Sequence, residues 1–471
     1  MSYEIVKSIV IKQDKVYSRM ESNNVYPKDF ISVENTGLTK MYNEGGKAKL
    51  LVSLVEGGLS GYLKFQKNGN KLVRQLQVIT NNLFEDEKYR KIEEEESPSK
   101  FYNEGCKYFE AKQYKEALEC FKKAASKNHA GALFHVGKIY DLALGVEQDY
   151  RLAAEYYSKA VSFNSGKAAN NLANMYRDGV GLEKDMKKAI ELYKKAIDGG
   201  SYVALANLGD MYNLGQGVEQ NYEEAMKWYK KAADGGIAWS MNEIGDLYYN
   251  GNGVDANYTE AVNWYRKGAE AGNANAMGNL GWMYQNGKGV EQSDTEAVKW
   301  YRKGAEAGNA NAMCNLGWMY ENGKGVEQNA EEAKKWYKKA ADGDNAWAMN
   351  RLGELSSSYS EELKWYNLAA DKGNSDAMFN LVWMYRMGNG VDKDINTALY
   401  WAKKSASLNN ARGMVAVGDI YWTWKDYNEA SQWYKKAMDV DPSNSEAKGR
   451  YNRCIIRIQN PDWDGNGVLF H

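Results

Sequence analysis

The residues that could do chemistry are few, and most of them lack the spacing that chemistry needs. The chain has three histidines, His129, His135 and His471, and four cysteines, Cys106, Cys120, Cys314 and Cys454. A zinc site would have to gather Cys106, Cys120, His129 and His135 by folding, because no HExxH or CxxC pair pre-arranges the ligands. Buried thiols and a surface imidazole are the plainer reading of these four residues. The recurrent G-x-G-V stretches look like phosphate cradles. They lack the preceding strand and the G-K-[S/T] ending of a P-loop, and they read instead as interhelical loops. There is no G-x-S-x-G. No catalytic residue, no metal site and no cofactor site is expected, and the chain is read as a non-enzyme.

Two ladders of side chains remain. One is basic: Lys194-Lys195, Lys230-Lys231, Arg266-Lys267, Arg302-Lys303, Lys338-Lys339, Lys403-Lys404 and Lys435-Lys436. It could follow a nucleic-acid backbone. The same segments open with acids (Glu223-Glu224, Glu260, Glu296, Glu331-Glu332), and acid-first, base-last order is what the helix dipole favours. The other ladder is amide, aromatic and acidic. At one register position stand Asn171, Asn207, Glu243, Asn279, Asn315, Arg351 and Asn380; three residues further stand Asn174, Asp210, Asp246, Trp282, Trp318, Glu354 and Trp383. Asn can both donate to and accept from a peptide backbone. Trp offers a rigid, wide apolar contact. The alternative is internal: Asn satisfying neighbouring backbone groups, and Trp packing between elements.

The elements that must position these ladders repeat every 36 residues. Ala132, Ala168, Ala204, Ser240, Ala276, Ala312 and Ala348 mark the period; Gly137, Ala173, Gly209, Gly245, Gly281, Gly317 and Gly353 follow five residues on. Tyr157, Tyr193, Tyr229, Tyr265, Tyr301 and Tyr337 stand 25 residues on. Residues 260–295 and 296–331 differ at only six places, as after a recent duplication. The unit at Ala348 lacks the glycine loop and is 29 residues long; the units at Lys100 and Gly413 are short in the same sense. Ten units are expected from about 100 to 443. Each reads as two helices: a first such as A-M-G-N-L-G-W-M-Y-Q-N-G, closed by Gly287, and a second such as T-E-A-V-K-W-Y-R-K-G-A-E-A-G. Glycine and alanine stand where two helices approach closely. One hairpin cannot bury its apolar faces alone, so the hairpins must stack.

The A-x-x-x-L-G-x-x-Y, G-x-G-V and A-x-x-W-Y-x-K-A-A elements in 204–235 resemble the Sel-one-like repeat, a relative of the tetratricopeptide repeat. The short end units, with D-P-S-N at 441–444, look more like tetratricopeptide repeats proper. The resemblance implies a mainly α fold: a right-handed α-α solenoid of about ten helical hairpins. It also implies scaffolding or adaptor work, with a partner protein or extended peptide in a concave groove lined by the first helices. The residues it places there are Asn207, Asp210, Glu243, Asp246, Asn279, Trp282, Asn315, Trp318, Arg351, Glu354, Asn380 and Trp383.

Outside the repeats, residues 1–96 read as a small α/β domain of no recognised family. Strands are expected at Tyr3–Ile11, Val16–Met20, Phe30–Val33 and Leu59–Phe65, a short helix at Lys47–Glu56 and an amphipathic helix at 71–92. The repeats are expected over 97–443, a capping helix over 444–460, and then an apolar-ended tail, 461–471, that docks on this chain or on a partner. With 61 basic and 62 acidic residues the net charge is −1, which argues against a phosphate-neutralising protein. Hydrophobic residues at 44% argue against global disorder, and the longest apolar run, near Leu50–Val55, is too short to span a bilayer. The N-terminal segment lacks a signal peptide's apolar core, and a reducing, cytoplasmic setting follows as the expectation. Two other functions remain open: an effector activity in residues 1–96 that the repeats target or regulate, and nucleic-acid binding by the solenoid.

Overall fold

A computed structural model describes residues 38–44, 47–53, 60–64 and 97–460. Two compact units make up the chain, Met1–Asp185 and Met186–His471. The first holds three antiparallel strands in sequential order: β1 (Leu38–Glu44), β2 (Lys47–Ser53) and β3 (Ser60–Lys64). Tyr42 faces Lys49 across β1 and β2, and Leu50 faces Leu63 across β2 and β3. The helix expected over Lys47–Glu56 is therefore corrected to a strand at Lys47–Ser53, residues 54–56 lying outside the described ones. K-A-K-L-L-V-S suits either form locally, and pairing on both edges decides for the strand. The strands expected at Tyr3–Ile11, Val16–Met20 and Phe30–Val33, and the helix at 71–92, lie outside the described residues.

The rest of the described chain is helical. The first unit continues with α1 (Pro98–Glu110), α2 (Tyr114–Ser126), α3 (Ala130–Asp141), α4 (Tyr150–Ser162) and α5 (Gly166–Asp178). The second holds α6 (Met186–Asp198), α7 (Tyr202–Leu214), α8 (Tyr222–Asp234), α9 (Ala238–Asn250), α10 (Tyr258–Glu270), α11 (Ala274–Asn286), α12 (Asp294–Glu306), α13 (Ala310–Asn322) and α14 (Ala330–Asp342). It ends with α15 (Ala346–Glu354), α16 (Tyr359–Asp371), α17 (Ser375–Met387), α18 (Ile395–Ser407), α19 (Ala411–Thr423), α20 (Tyr427–Val440) and α21 (Ser445–Gln459). Within each unit a first helix pairs with the second helix that follows, and that second helix packs on the next first helix.

Local chemistry sets the helix ends. Asn273 caps α11 by accepting from the Ala276 backbone N–H at 2.8 Å, and Gly287 closes it in the left-handed conformation at φ 61°. The core is made by tyrosine on glycine. Tyr301 of α12 is fully buried, and a Cβ added at Gly281 of α11 would lie 2.7 Å from its ring. Gly209 with Tyr229, Gly245 with Tyr265, Gly317 with Tyr337 and Gly418 with Tyr434 repeat this contact. The G-x-G-V loops lie on the preceding second helix: Gly289 sits against the Tyr258 backbone, and Gly325 against Asp294. They are interhelical loops.

The tyrosine–glycine contact predicts opposite outcomes for two glycines in α11. Gly281→Ala should cost about 1–3 kcal/mol, because the ring has nowhere to move. Gly278 has 3.4 Å of clearance and a helical backbone. Gly278→Ala should be neutral or stabilise by about 0.5–1 kcal/mol. Urea midpoints of the full chain check both.

Candidate functional site

Buried tyrosines need partners for their hydroxyls, and the first helices supply them. Tyr157 donates to Asp141 at 3.0 Å, Tyr229 to Asp210 at 2.5 Å and Tyr265 to Asp246 at 2.6 Å. Tyr301 donates to Gln285 and Tyr337 to Glu321, both at 2.6 Å. Burial pushes each of these five tyrosine pKa values up. Asp210 and Asp246, two of the residues expected to face a partner, thus also hold the fold.

The amides link one hairpin to the next. Asn279 donates to Asn242 at 2.9 Å and to Asp246 at 3.4 Å; Asn380 donates to Asn350 at 3.0 Å. Asn207 is buried, and the Asn315 side chain hydrogen-bonds Tyr301. Trp282 packs partly buried between two neighbouring cores and meets Tyr249 edge-on, with centroids 5.7 Å apart. Trp318 likewise bridges two cores. Trp383 is different: it is 45% exposed, with the Arg386 guanidinium 5.5 Å from its ring.

Charge is distributed unevenly along this row. Glu243 lies near Asp246 and Asp210, and its carboxyl is pushed up to about 7, first by burial and then by these two carboxylates, with Asn242 opposing. Burial also raises Asp246. Arg351 instead pairs with Glu321 of the preceding hairpin and with Glu354 on its own helix. The near-identical repeats explain this pair. Gln285 and Asn315 are neutral where Glu321 and Arg351 are charged, so the two changes compensate.

Much of the basic ladder is engaged within the fold. The first member of a pair reaches the next hairpin: Arg266 donates to the Tyr284 hydroxyl at 2.9 Å, Arg302 to Tyr320 at 2.7 Å and Lys403 to Tyr421 at 3.1 Å. The second lies over a tryptophan of its own helix: Lys267 over Trp264 at 4.1 Å, Lys303 over Trp300 at 4.3 Å and Lys436 over Trp433 at 4.0 Å.

In the first hairpins, His129 caps α3 through Nδ1, and His135 stacks on Phe121 at 4.7 Å. Burial, helped by Lys138 and Lys167, lowers the His135 pKa to about 4, which keeps it neutral. Among the described residues no three His, Cys, Asp or Glu side chains converge as metal ligands. No described helix is long and apolar enough to cross a membrane. Burial raises the Cys314 thiol to about 12, which leaves it unreactive. Sequence reasoning missed Asn242 and Asn350, which carry the inter-hairpin bonds, and Trp239 and Trp347. The shared A-W-x-M-N segments were the available signal.

The Sel1 repeat model matches residues 108–129, 130–162, 166–201, 203–237, 240–273, 274–309, 310–345, 363–374 and 375–410, more than half of the chain. The chain belongs to the Sel1 repeat family. A tetratricopeptide repeat follows at 411–444. Similar solved structures include a protective antigen of uropathogenic Escherichia coli with an SLR fold, at 29% identity. That match covers 79% of this chain and 90% of that one, with TM-score 0.41. A Sel1 repeat protein from Oxalobacter formigenes is 34% identical over 51% of this chain and 99% of its own, with TM-score 0.49. Yeast Tom70 is 14% identical over 77% and 96%, with TM-score 0.32. No curated protein matches the chain.

Two predictions follow from this Sel1 row. Glu321→Gln and Arg351→Asn should each destabilise by about 1–3 kcal/mol, and the double variant by less than their sum, with a coupling of roughly 1–2 kcal/mol in urea titrations. The Glu243 carboxyl binds its proton more tightly folded than unfolded. Its contribution is therefore complete below about pH 4.5 and is lost as pH rises through about 7. Glu243→Gln should flatten that loss and stabilise the chain near pH 8 by up to ~3 kcal/mol, read from thermal melts across pH.

Proposed function

We propose that this Sel1 repeat chain is a non-enzymatic scaffold or adaptor. Its partner is a protein, held as an extended segment along the first helices of residues 186–471, in the concave groove expected of such a solenoid. Repeat arrays of this family are typical of protein–protein interaction scaffolds, and an extended concave surface is what stacked hairpins offer a partner. The observation that carries the reading is Trp383. It occupies the register position of Trp282 and Trp318 but leaves 45% of its surface in water. A large exposed indole beside an arginine is the composition of a binding hot spot. Trp347, 40% exposed under the Arg351 guanidinium, adds a second such pair. The amides Asn279, Asn315 and Asn380 keep acceptor oxygens for a peptide backbone even where their N–H groups hold the next hairpin. Basic residues on the second helices meet tyrosine and tryptophan within the fold, which favours a protein partner over a nucleic acid.

The test is affinity capture by the full chain from its native cell extract, with cross-linking to locate the contact. A discrete protein should cross-link to the first helices. Trp383→Ala should weaken its capture about tenfold or more. Lys267→Ala, on a second helix, should leave capture unchanged. Equal capture by wild type and Trp383→Ala, with cross-links elsewhere, would remove the first-helix reading.

A further inference from the structure

Two first helices share five of nine residues and the pattern of the rest: A-W-S-M-N-E-I-G-D at 238–246 in α9 and A-W-A-M-N-R-L-G-E at 346–354 in α15. Their polar frames share two bonds. Asn242 donates to Asp246 at 3.0 Å, and Asn350 donates to Glu354 at 2.9 Å. The next hairpin closes each frame: Asn279 donates to Asn242 at 2.9 Å, and Asn380 to Asn350 at 3.0 Å. The tryptophans agree as well. Trp239 meets Tyr229 edge-on at 6.3 Å, and Trp347 meets Tyr337 edge-on at 5.8 Å. One residue changes sign. In α15, Arg351 lies 5.7 Å over the Trp347 ring and pairs with Glu354 and Glu321. In α9 that position is Glu243 and Asn213 stands in the place of Glu321, while an acid, the amide pair and the tryptophan are kept.

We propose that Trp239, Glu243 and Asp246 form a subsite for an arginine side chain of the partner protein, which supplies from outside the guanidinium that Arg351 supplies from within the chain at α15. The inference rests on the scaffold reading and names the partner's chemistry at one position. Arg351 shows that this frame seats a guanidinium against an indole and a carboxylate at once. Trp239 is half-buried and holds the pose that Trp347 uses for its cation–π contact. A planar fork of N–H donors suits two carboxylates better than an ammonium does, so arginine is preferred over lysine. Electrostatics point the same way. The groups facing Glu243 are Asp210 from α7, Tyr229 from α8 and Asp246 from its own helix, with Tyr265 of α10 bound to Asp246. A guanidinium set among them relieves their mutual repulsion. It also drives the Glu243 proton off, so binding strengthens as pH rises.

The experiment titrates the full chain with N-acetylarginine amide, alongside N-acetyllysine amide and the uncharged N-acetylcitrulline amide, followed by ligand-observed NMR. The arginine amide should bind saturably, more tightly than the lysine amide, and the citrulline amide should not bind. Glu243→Gln should weaken arginine binding about tenfold or more. Glu243→Arg, which fills the frame from within as in α15, should abolish it. Binding should be tighter near pH 8 than near pH 6 and should weaken with added salt. Equal binding of arginine and citrulline amides, or arginine binding unchanged in both variants, overturns the proposal. The scaffold reading is decided separately by capture with Trp383→Ala, so failure of one is distinguishable from failure of the other.

Discussion

Most hairpins of the repeat array depend on one contact, a tyrosine ring of the second helix packed on a glycine of the first. The ring is the largest side chain that a second helix such as α12 buries completely. The glycine lets the two backbones approach closely enough for that burial. Alanines such as Ala276, Ala297 and Ala312, all fully buried, complete the same close approach along the pair. The hydroxyl at the far end of each ring is then drawn out of water, and it must find an acceptor on the first helix. From that need follows the row of Asp, Glu and Gln side chains at Asp141, Asp210, Asp246, Gln285 and Glu321.

That row constrains what is left for function. Residues that look like a binding ladder also serve the fold, because an acid holding a tyrosine hydroxyl, or an amide tying one hairpin to the next, is already engaged. The informative positions are those that depart from the common solution. Trp383 leaves its indole in water, where Trp282 and Trp318 tuck theirs between cores. Glu243 places a carboxylate where the same frame elsewhere seats an arginine. The 29-residue unit, with its short helix α15, joins its neighbours through Arg351 to Glu321 and Asn380 to Asn350.

The basic pairs show how a surface pattern can arise from packing alone. Each pair looks like a phosphate-binding stripe when read along the chain. The first members Arg266, Arg302 and Lys403 reach forward to a tyrosine hydroxyl of the next hairpin, and second members such as Lys267, Lys303 and Lys436 fold back onto a tryptophan one turn earlier. Both contacts recur every 36 residues because the hairpins do. The same spacing that makes the stripe regular gives many of these charges a partner within the protein.

The sequence by itself determined the repeat period, the helical hairpins, the glycine caps and the role of the small residues, because these follow from local chemistry and a 3.6-residue period. It also determined the family, since the motif positions are those of the fold's own contacts. It did not determine Lys47–Ser53, whose form depends on the strands either side of it. Nor did it decide which of two uses each polar residue serves. Asn279 and Asn315 read alike along the chain and both reach back to the preceding hairpin, yet one meets Asn242 and Asp246 of its first helix and the other meets Tyr301 of its second. Only the tertiary structure separates them. A side chain's hydrogen bonds depend on which groups the next hairpin brings within about 3 Å, and that distance is set by packing between residues more than thirty positions apart.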